Sequence, residues 1–320
     1  MTPTVTTPGK PFRHWGASQR QDAGSGRRCL MQLGLPLVSS LPAISSASFG
    51  DLESPGTGPY PASWFTDPSL SNHTIYSPVS VPPGVSLPVL VWGEGGCDNN
   101  GTKFAPFLTN IASYGFLVLA SGPPNGSGST TAQFMEDAIE WITRRAGTGG
   151  RYASVDASLI AAAGQSCGGL ETYRMRNNDQ VSVLGIFNSG FLGNATFIAS
   201  VGGQATEPPT SIKEVHKPVF YFLGGPTDIA YANGEADYHN LTGVPKWIGN
   251  YPVGHSGTYR DENGGAFGVA AVDWLLWTFG RNETAASFFT KGGAEENGWE
   301  EVESQGLEDL FDFIPTRKET

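Results

Sequence analysis

The stretch that decides the fold is "LIAAAGQSCGGLETYR", residues 159–174. A short apolar run ends at Gly164 and reads as a buried strand, while the residues from Leu170 onward carry a helical mix of apolar and charged side chains. Between them lies Gly164-Gln165-Ser166-Cys167-Gly168, a GxSxG pattern set between a strand and a helix. In that setting the flanking glycines have a physical task. A serine at the apex of so tight a turn has strained dihedrals, and side chains two residues to either side would strike the neighbouring chain. The result is an exposed hydroxyl at a helix N-terminus, where developing negative charge is favoured. A plain Gly-rich connection is the alternative. No second GxSxG occurs in the chain, so Ser166 is the candidate nucleophile.

Working outward, the same alternation recurs. "LPVLVWG" (87–93), "FLVLAS" (116–121), "VSVLGIFN" (181–188), "KPVFYFLGG" (217–225) and "PKWIGNYP" (245–252) read as strands. "KFAPFLTNIASYG" (103–115) and "TTAQFMEDAIEWITRRAG" (130–147) read as helices. The second of these is acidic early and basic in its last turn, as the helix dipole prefers. "GGAFGVAAVDWLLWTFGRN" (264–282) is the longest helix. Near the start, "ESPGTGPYPASWF" (53–65) is turn-rich and "HTIYSPV" (73–79) reads as a short edge strand. Strands alternating with helices predict an α/β fold, a mainly parallel central sheet with helices on both faces. Residues 51–290 form the predicted core domain. Residues 1–50 show no periodic pattern, and 291–320 read as an acidic C-terminal tail or peripheral element.

Composition narrows the partners. With 15% charged residues, 39% hydrophobic ones and a net charge of −11, the chain is a loop-rich globular protein. It lacks the basic face that nucleic acid or anionic membrane requires. No apolar run approaches the roughly 20 residues that span a bilayer, so no stable membrane insertion is expected. Six N-x-S/T sequons occur, at Asn72, Asn100, Asn125, Asn194, Asn240 and Asn282. That exceeds the about two or three expected by chance. Residues 27–47, two arginines followed by a mostly apolar stretch ending in Ser45-Ser46-Ala47, look like a secretory signal placed oddly far from the terminus. Translation starting near Met31 would explain the position, and an ordinary Pro-broken loop is the other reading. Secretion, glycosylation and a monomer are the expectations. No metal-ligand spacing, phosphate loop or cofactor motif occurs.

A serine hydroxyl needs a base, and the base needs an orienting acid. Of the five histidines, His14 falls in the irregular N-terminus, His73 precedes the sheet core, and His216 and His239 sit in polar surroundings. His255, in "NYPVGHSGTY" just past a strand, lies on a loop that can reach the serine. Asp228, in "VFYFLGGPTDIAY", follows the preceding strand; Glu235 and Asp237 fall in a predicted helix and Asp261 comes after the histidine.

The order Ser166, Asp228, His255 is that of the α/β-hydrolases. Residues 58–289 resemble the cutinase and polyester-hydrolase branch of that superfamily, which shades into dienelactone-hydrolase-like proteins. The resemblance rests on "GPYPAS", "NIASYGFLVLAS", the elbow, "GGPTDIAY", "GHSGTY" and the closing helix "GGAFGVAAVDWLLWTFGRNETAASFF". The elbow departs from the branch in reading Gln-Ser-Cys, and "WGEGGCDNNG" (92–101) is longer and richer in glycine.

The resemblance implies a cofactor-free serine esterase acting on small or polymeric esters through an acyl-enzyme. It also implies an oxyanion hole of backbone N–H groups: Cys167 after the nucleophile, and Gly96 or Cys97 from the earlier loop. If both loops converge on one oxyanion, Cys97 and Cys167 come within disulfide range. Two free thiols are the alternative, and Cys167 as the nucleophile is a rival use. Phe191 resembles an aromatic wall for the acyl group, and the short span between Asn188 and His216 leaves no room for a large lid. A peptidase or amidase of the same superfamily, and a non-catalytic hydrolase-fold binding protein, are the competing functions.

Overall fold

The structure, a computed structural model, describes residues 54–191 and 212–316. The irregular N-terminus, the signal-like 27–47 and Asn194 lie outside the described residues. Nine strands form one sheet: β1 (Ala62–Phe65), β2 (His73–Pro78), β3 (Leu87–Gly93), β4 (Leu117–Ser121), β5 (Val155–Gln165), β6 (Val181–Phe187), β7 (Val219–Leu223), β8 (Lys246–Asn250) and β9 (Glu300–Gln305). Their order is β1-β2-β4-β3-β5-β6-β7-β8-β9. The run from β4 to β8 is parallel. The pairs β1–β2, β2–β4 and β8–β9 are antiparallel.

Helices cover both faces, because the central strands are apolar on both. In β3, Leu90 and Trp92 face one core while Val89 and Val91 face the other; in β7, Phe220 and Phe222 oppose Val219, Tyr221 and Leu223. The first core is closed by α1 (Ala105–Ser113), by the helix over Gly265–Gly280 and by that over Glu283–Thr290. The second is closed by α2 (Ala132–Arg145), α3 (Cys167–Arg174) and α4 (Tyr231–Asn240). In chain order the helices over 265–280 and 283–290 are α5 and α6. Gly185 and Ala163 leave a shallow strip for Trp274 of α5, since a Cβ at Gly185 would lie 2.6 Å from the indole. No helix among the described residues is long and apolar enough to cross a membrane.

Two readings differ from the sequence expectation. β2 is not an edge strand: β1, formed from the turn-rich segment, pairs outside it in a register of Ala62 to Pro78 through Phe65 to Ile75. Its Pro and Gly neighbours hid a strand only four residues long. Of the two readings of 291–320, the peripheral element holds and the tail does not. The segment supplies α7 (Gly293–Glu296), the edge strand β9 and α8 (Leu310–Phe313). Trp299, Leu307, Leu310 and Ile314 enter the first core, at positions scattered among acids with no single period. The β9 side chains themselves are mostly exposed and acidic, which keeps a sheet edge from pairing with another chain.

Candidate active site

The carboxyl ends of the parallel strands carry the polar cluster, as open α/β sheets dispose them. Ser166 joins β5 to α3 with φ 53° and ψ −114°, a conformation a side chain adopts only when its surroundings impose it. What imposes it is backbone crowding. A Cβ at Gly168 would lie 2.0 Å from the Gly93 carbonyl oxygen, and one at Gly164 would lie 2.4 Å from the Gly168 backbone. The turn is tied down by Ser166 N–H donating to Phe187 O (2.9 Å) and by the Ser189 hydroxyl donating to Ser166 O (2.7 Å).

Ser166, His255 and Asp228 come together. Ser166 Oγ lies 2.8 Å from His255 Nε2, and His255 Nδ1 lies 2.6 Å from Asp228 Oδ1. A carboxylate only accepts, so Nδ1 carries the hydrogen and Nε2 is left to accept the serine proton. Burial pushes the Asp228 carboxyl up, but hydrogen bonds from His255, the Ala230 N–H and Asn188 outweigh it and hold the group below its ordinary value. Its Oδ2 accepts from Asn188 Nδ2 (2.7 Å) and Gly224 N–H (3.0 Å). The loop that carries His255 is fastened to the end of β5 by Gln165 Nε2, which donates to His255 O at 2.9 Å.

The rival residues are bonded elsewhere, exposed or outside the described residues. His73 is buried, its Nε2 2.8 Å from Phe134 O; His239 pairs with Glu235; His216 is exposed; and His14 lies outside the described residues. Asp237 receives the Tyr173 hydroxyl (2.5 Å) and the Phe191 N–H, and Asp261 is exposed. Phe191 is half-buried, its ring edge-on to Tyr173 with centroids 5.8 Å apart.

A disulfide joins Cys97 and Cys167, with Cα atoms 5.1 Å apart. It ties the loop after β3 to the first residue of α3, and both cysteines are buried. Of the two donors expected from that loop, Cys97 has its N–H committed to Glu94 O at 3.1 Å, within a tight turn. Cys97 therefore braces that loop through its turn and its disulfide, which leaves Gly96 as the remaining candidate donor. Lys103 donates to Gly95 O and pairs with Asp98, and Thr130 N–H donates to Cys97 O at 2.7 Å, which further fixes the loop.

Behind this loop are two buried carboxyls the sequence reading did not single out. Glu94 is fully buried, and burial pushes it well above its ordinary value despite the neighbouring Trp92 indole N–H. Glu171 accepts from the Thr130 hydroxyl (3.0 Å), and burial pushes it up to about 7 despite that bond. Asn188 and Tyr259 were also missed, although a polar residue ending the apolar strand "VSVLGIFN" at its carboxyl edge is a signal that could have been read.

Among the described residues, no group of three or more His, Cys, Asp or Glu side chains is arranged to hold a metal ion. Of the sequons, Asn72, Asn125, Asn240 and Asn282 are exposed, and Asn100 is half-buried with its Oδ1 held by Thr102. Asn282 also caps α6 by accepting from Thr284 and Ala285 N–H.

Compared with known proteins, the chain matches no family model, and no curated protein is significantly similar to it.

Proposed function

We propose that the protein is a serine hydrolase of the α/β-hydrolase type that cleaves carboxylic esters through an acyl-enzyme. The observation that carries this reading is the unbroken hydrogen-bond chain from a strained, glycine-flanked serine through His255 to a buried carboxylate. In the reaction, Ser166 Oγ attacks the ester carbonyl carbon while His255 Nε2 takes its proton. Asp228 stabilises the imidazolium that forms. The carbonyl oxygen, now an oxyanion, accepts from the N–H groups of Cys167 and Gly96. The imidazolium returns the proton to the departing alkoxide, and a water deprotonated by His255 then releases the acid. Every group this chemistry needs belongs to the chain, so no cofactor is called for.

The cutinase and polyester-hydrolase resemblance, an extracellular location and glycosylation belong to the same proposal. A disulfide is at home in an oxidising compartment, and four of the sequons stand on exposed surface. Short-chain p-nitrophenyl esters, assayed with wild type and Ser166→Ala, test the reading. Wild type should turn over, and Ser166→Ala should lose about 10⁴-fold or more in kcat. Equal, near-zero rates for both proteins would refute it. Hydrolysis of p-nitroanilides in preference to esters would move the assignment to a peptidase.

A further inference from the structure

The triad does not end at Asp228. Asn188 follows β6 and Tyr259 lies beyond the histidine loop, and both are fully buried. Asn188 Nδ2 lies 2.7 Å from Asp228 Oδ2 and 3.3 Å from Gly254 O. Both of those oxygens can only accept, so the amide atom facing them is the nitrogen. The amide oxygen then points away, and the Tyr259 hydroxyl donates to it. The direction of every hydrogen follows: Tyr259 donates to Asn188, Asn188 donates to Asp228, and Asp228 accepts His255 Nδ1–H.

The pair is held rigidly. The Tyr259 ring sits among Phe104, Phe107 and Phe267, with centroids 4.9, 5.1 and 5.0 Å away. Asn188 has φ 42°, a left-handed conformation that Asn tolerates better than bulky residues, and its N–H donates to Phe222 O at 2.8 Å. The next residue, Ser189, bonds the carbonyl of Ser166 itself. One short segment thus touches both ends of the triad.

We propose that Asn188 and Tyr259 are positioning residues for the hydrolytic reaction, a neutral, buried donor relay that orients the Asp228 carboxylate and keeps it ionised. An amide polarised by a hydroxyl donor at its oxygen is a better donor at its nitrogen. A neutral relay is also the only kind that stabilises the carboxylate without neutralising the charge that the imidazolium needs. The titratable groups facing Asn188 are Asp228 and Tyr259, with His255 behind the former. This inference rests on the hydrolase reading above.

Two variants test it. Tyr259→Phe removes one hydroxyl and keeps the ring; kcat should fall about three- to tenfold with KM unchanged. With its donor weakened, Asp228 becomes easier to protonate, so the acid limb of the kcat/KM profile should move to higher pH. Asn188→Asp is more diagnostic. A carboxyl carries the donor–acceptor pair of the amide only while protonated, so the activity of this variant relative to wild type should be highest at low pH. That ratio should fall as pH rises through the range where wild type gains activity or holds level. A merely structural role would lower Tm and leave both profiles unchanged.

The far-downfield proton resonance of His255 Nδ1–H is read without substrate and should shift in Tyr259→Phe. If wild type cleaves no ester, the hydrolase reading fails while this shift still reports on the relay. Folded Tyr259→Phe protein with wild-type kcat, pH profile and resonance overturns the proposal, whether or not Asn188→Asp folds.

Discussion

Replacing both bridged cysteines, Cys97→Ser with Cys167→Ser, should separate stability from catalysis in one protein. The bridge closes a loop with a sequence separation of 70 residues. On the chain-entropy model its removal costs about 4.4 kcal/mol through the unfolded state. For a domain of this size that corresponds to a fall in Tm of roughly 9–18 °C. The catalytic effect has a separate origin. The bridge ties the Cys167 end of the proposed oxyanion hole to the loop that carries Gly96, and complete loss of one such donor slows turnover by about 10²–10³. That loop keeps its Lys103 and Thr130 anchors when the bridge is gone. The donor should therefore be loosened rather than lost, and kcat should fall by about tenfold, short of that limit. KM should hardly change, because the oxyanion forms after binding. Non-reducing thermal melts and esterase kinetics well below the variant Tm provide both numbers. A lowered Tm with wild-type kcat would refute the oxyanion role of the loop, and an unchanged Tm would refute the bridge.

Glu171→Gln should raise stability at pH 8 relative to wild type and flatten its dependence on pH. Burial raises the folded carboxyl from 4.5 to about 7, so the folded state holds the proton more tightly than the unfolded chain. Stability therefore falls as pH rises between those values, and urea melts at pH 5 and pH 8 measure the slope. Gly168→Ala should destabilise by about 3 kcal/mol or more. Its Cβ would meet the Gly93 carbonyl at 2.0 Å, a backbone atom that cannot swing aside. Gly280→Ala, at the open end of α5, is the control and should be near neutral by the same melts.

The α/β alternation could be read because the parallel strands, buried on both faces, are near-continuous apolar runs. The triad candidates followed from chain order and from their places at strand ends. β1 escaped because four residues beside prolines and glycines show no period, and β9 escaped because its side chains stay in water while its backbone does the pairing. Asn188 escaped for a different reason. An asparagine ending a strand looks like any turn residue until Asp228, 40 positions later, is brought against it.

By itself the sequence determined the layered α/β architecture, the elbow at Ser166 and the short list of histidines and acids, because local periodicity, glycine placement and residue chemistry are properties of neighbours in the chain. Only the tertiary structure decided which side chains meet. It set Ser166 against His255 and Asp228, committed the Cys97 N–H to a turn so that Gly96 is left as the candidate donor, and buried Glu94 and Glu171 behind that loop. Those outcomes depend on distances of a few ångströms between residues tens of positions apart, and such distances are fixed only when the whole sheet closes its two cores.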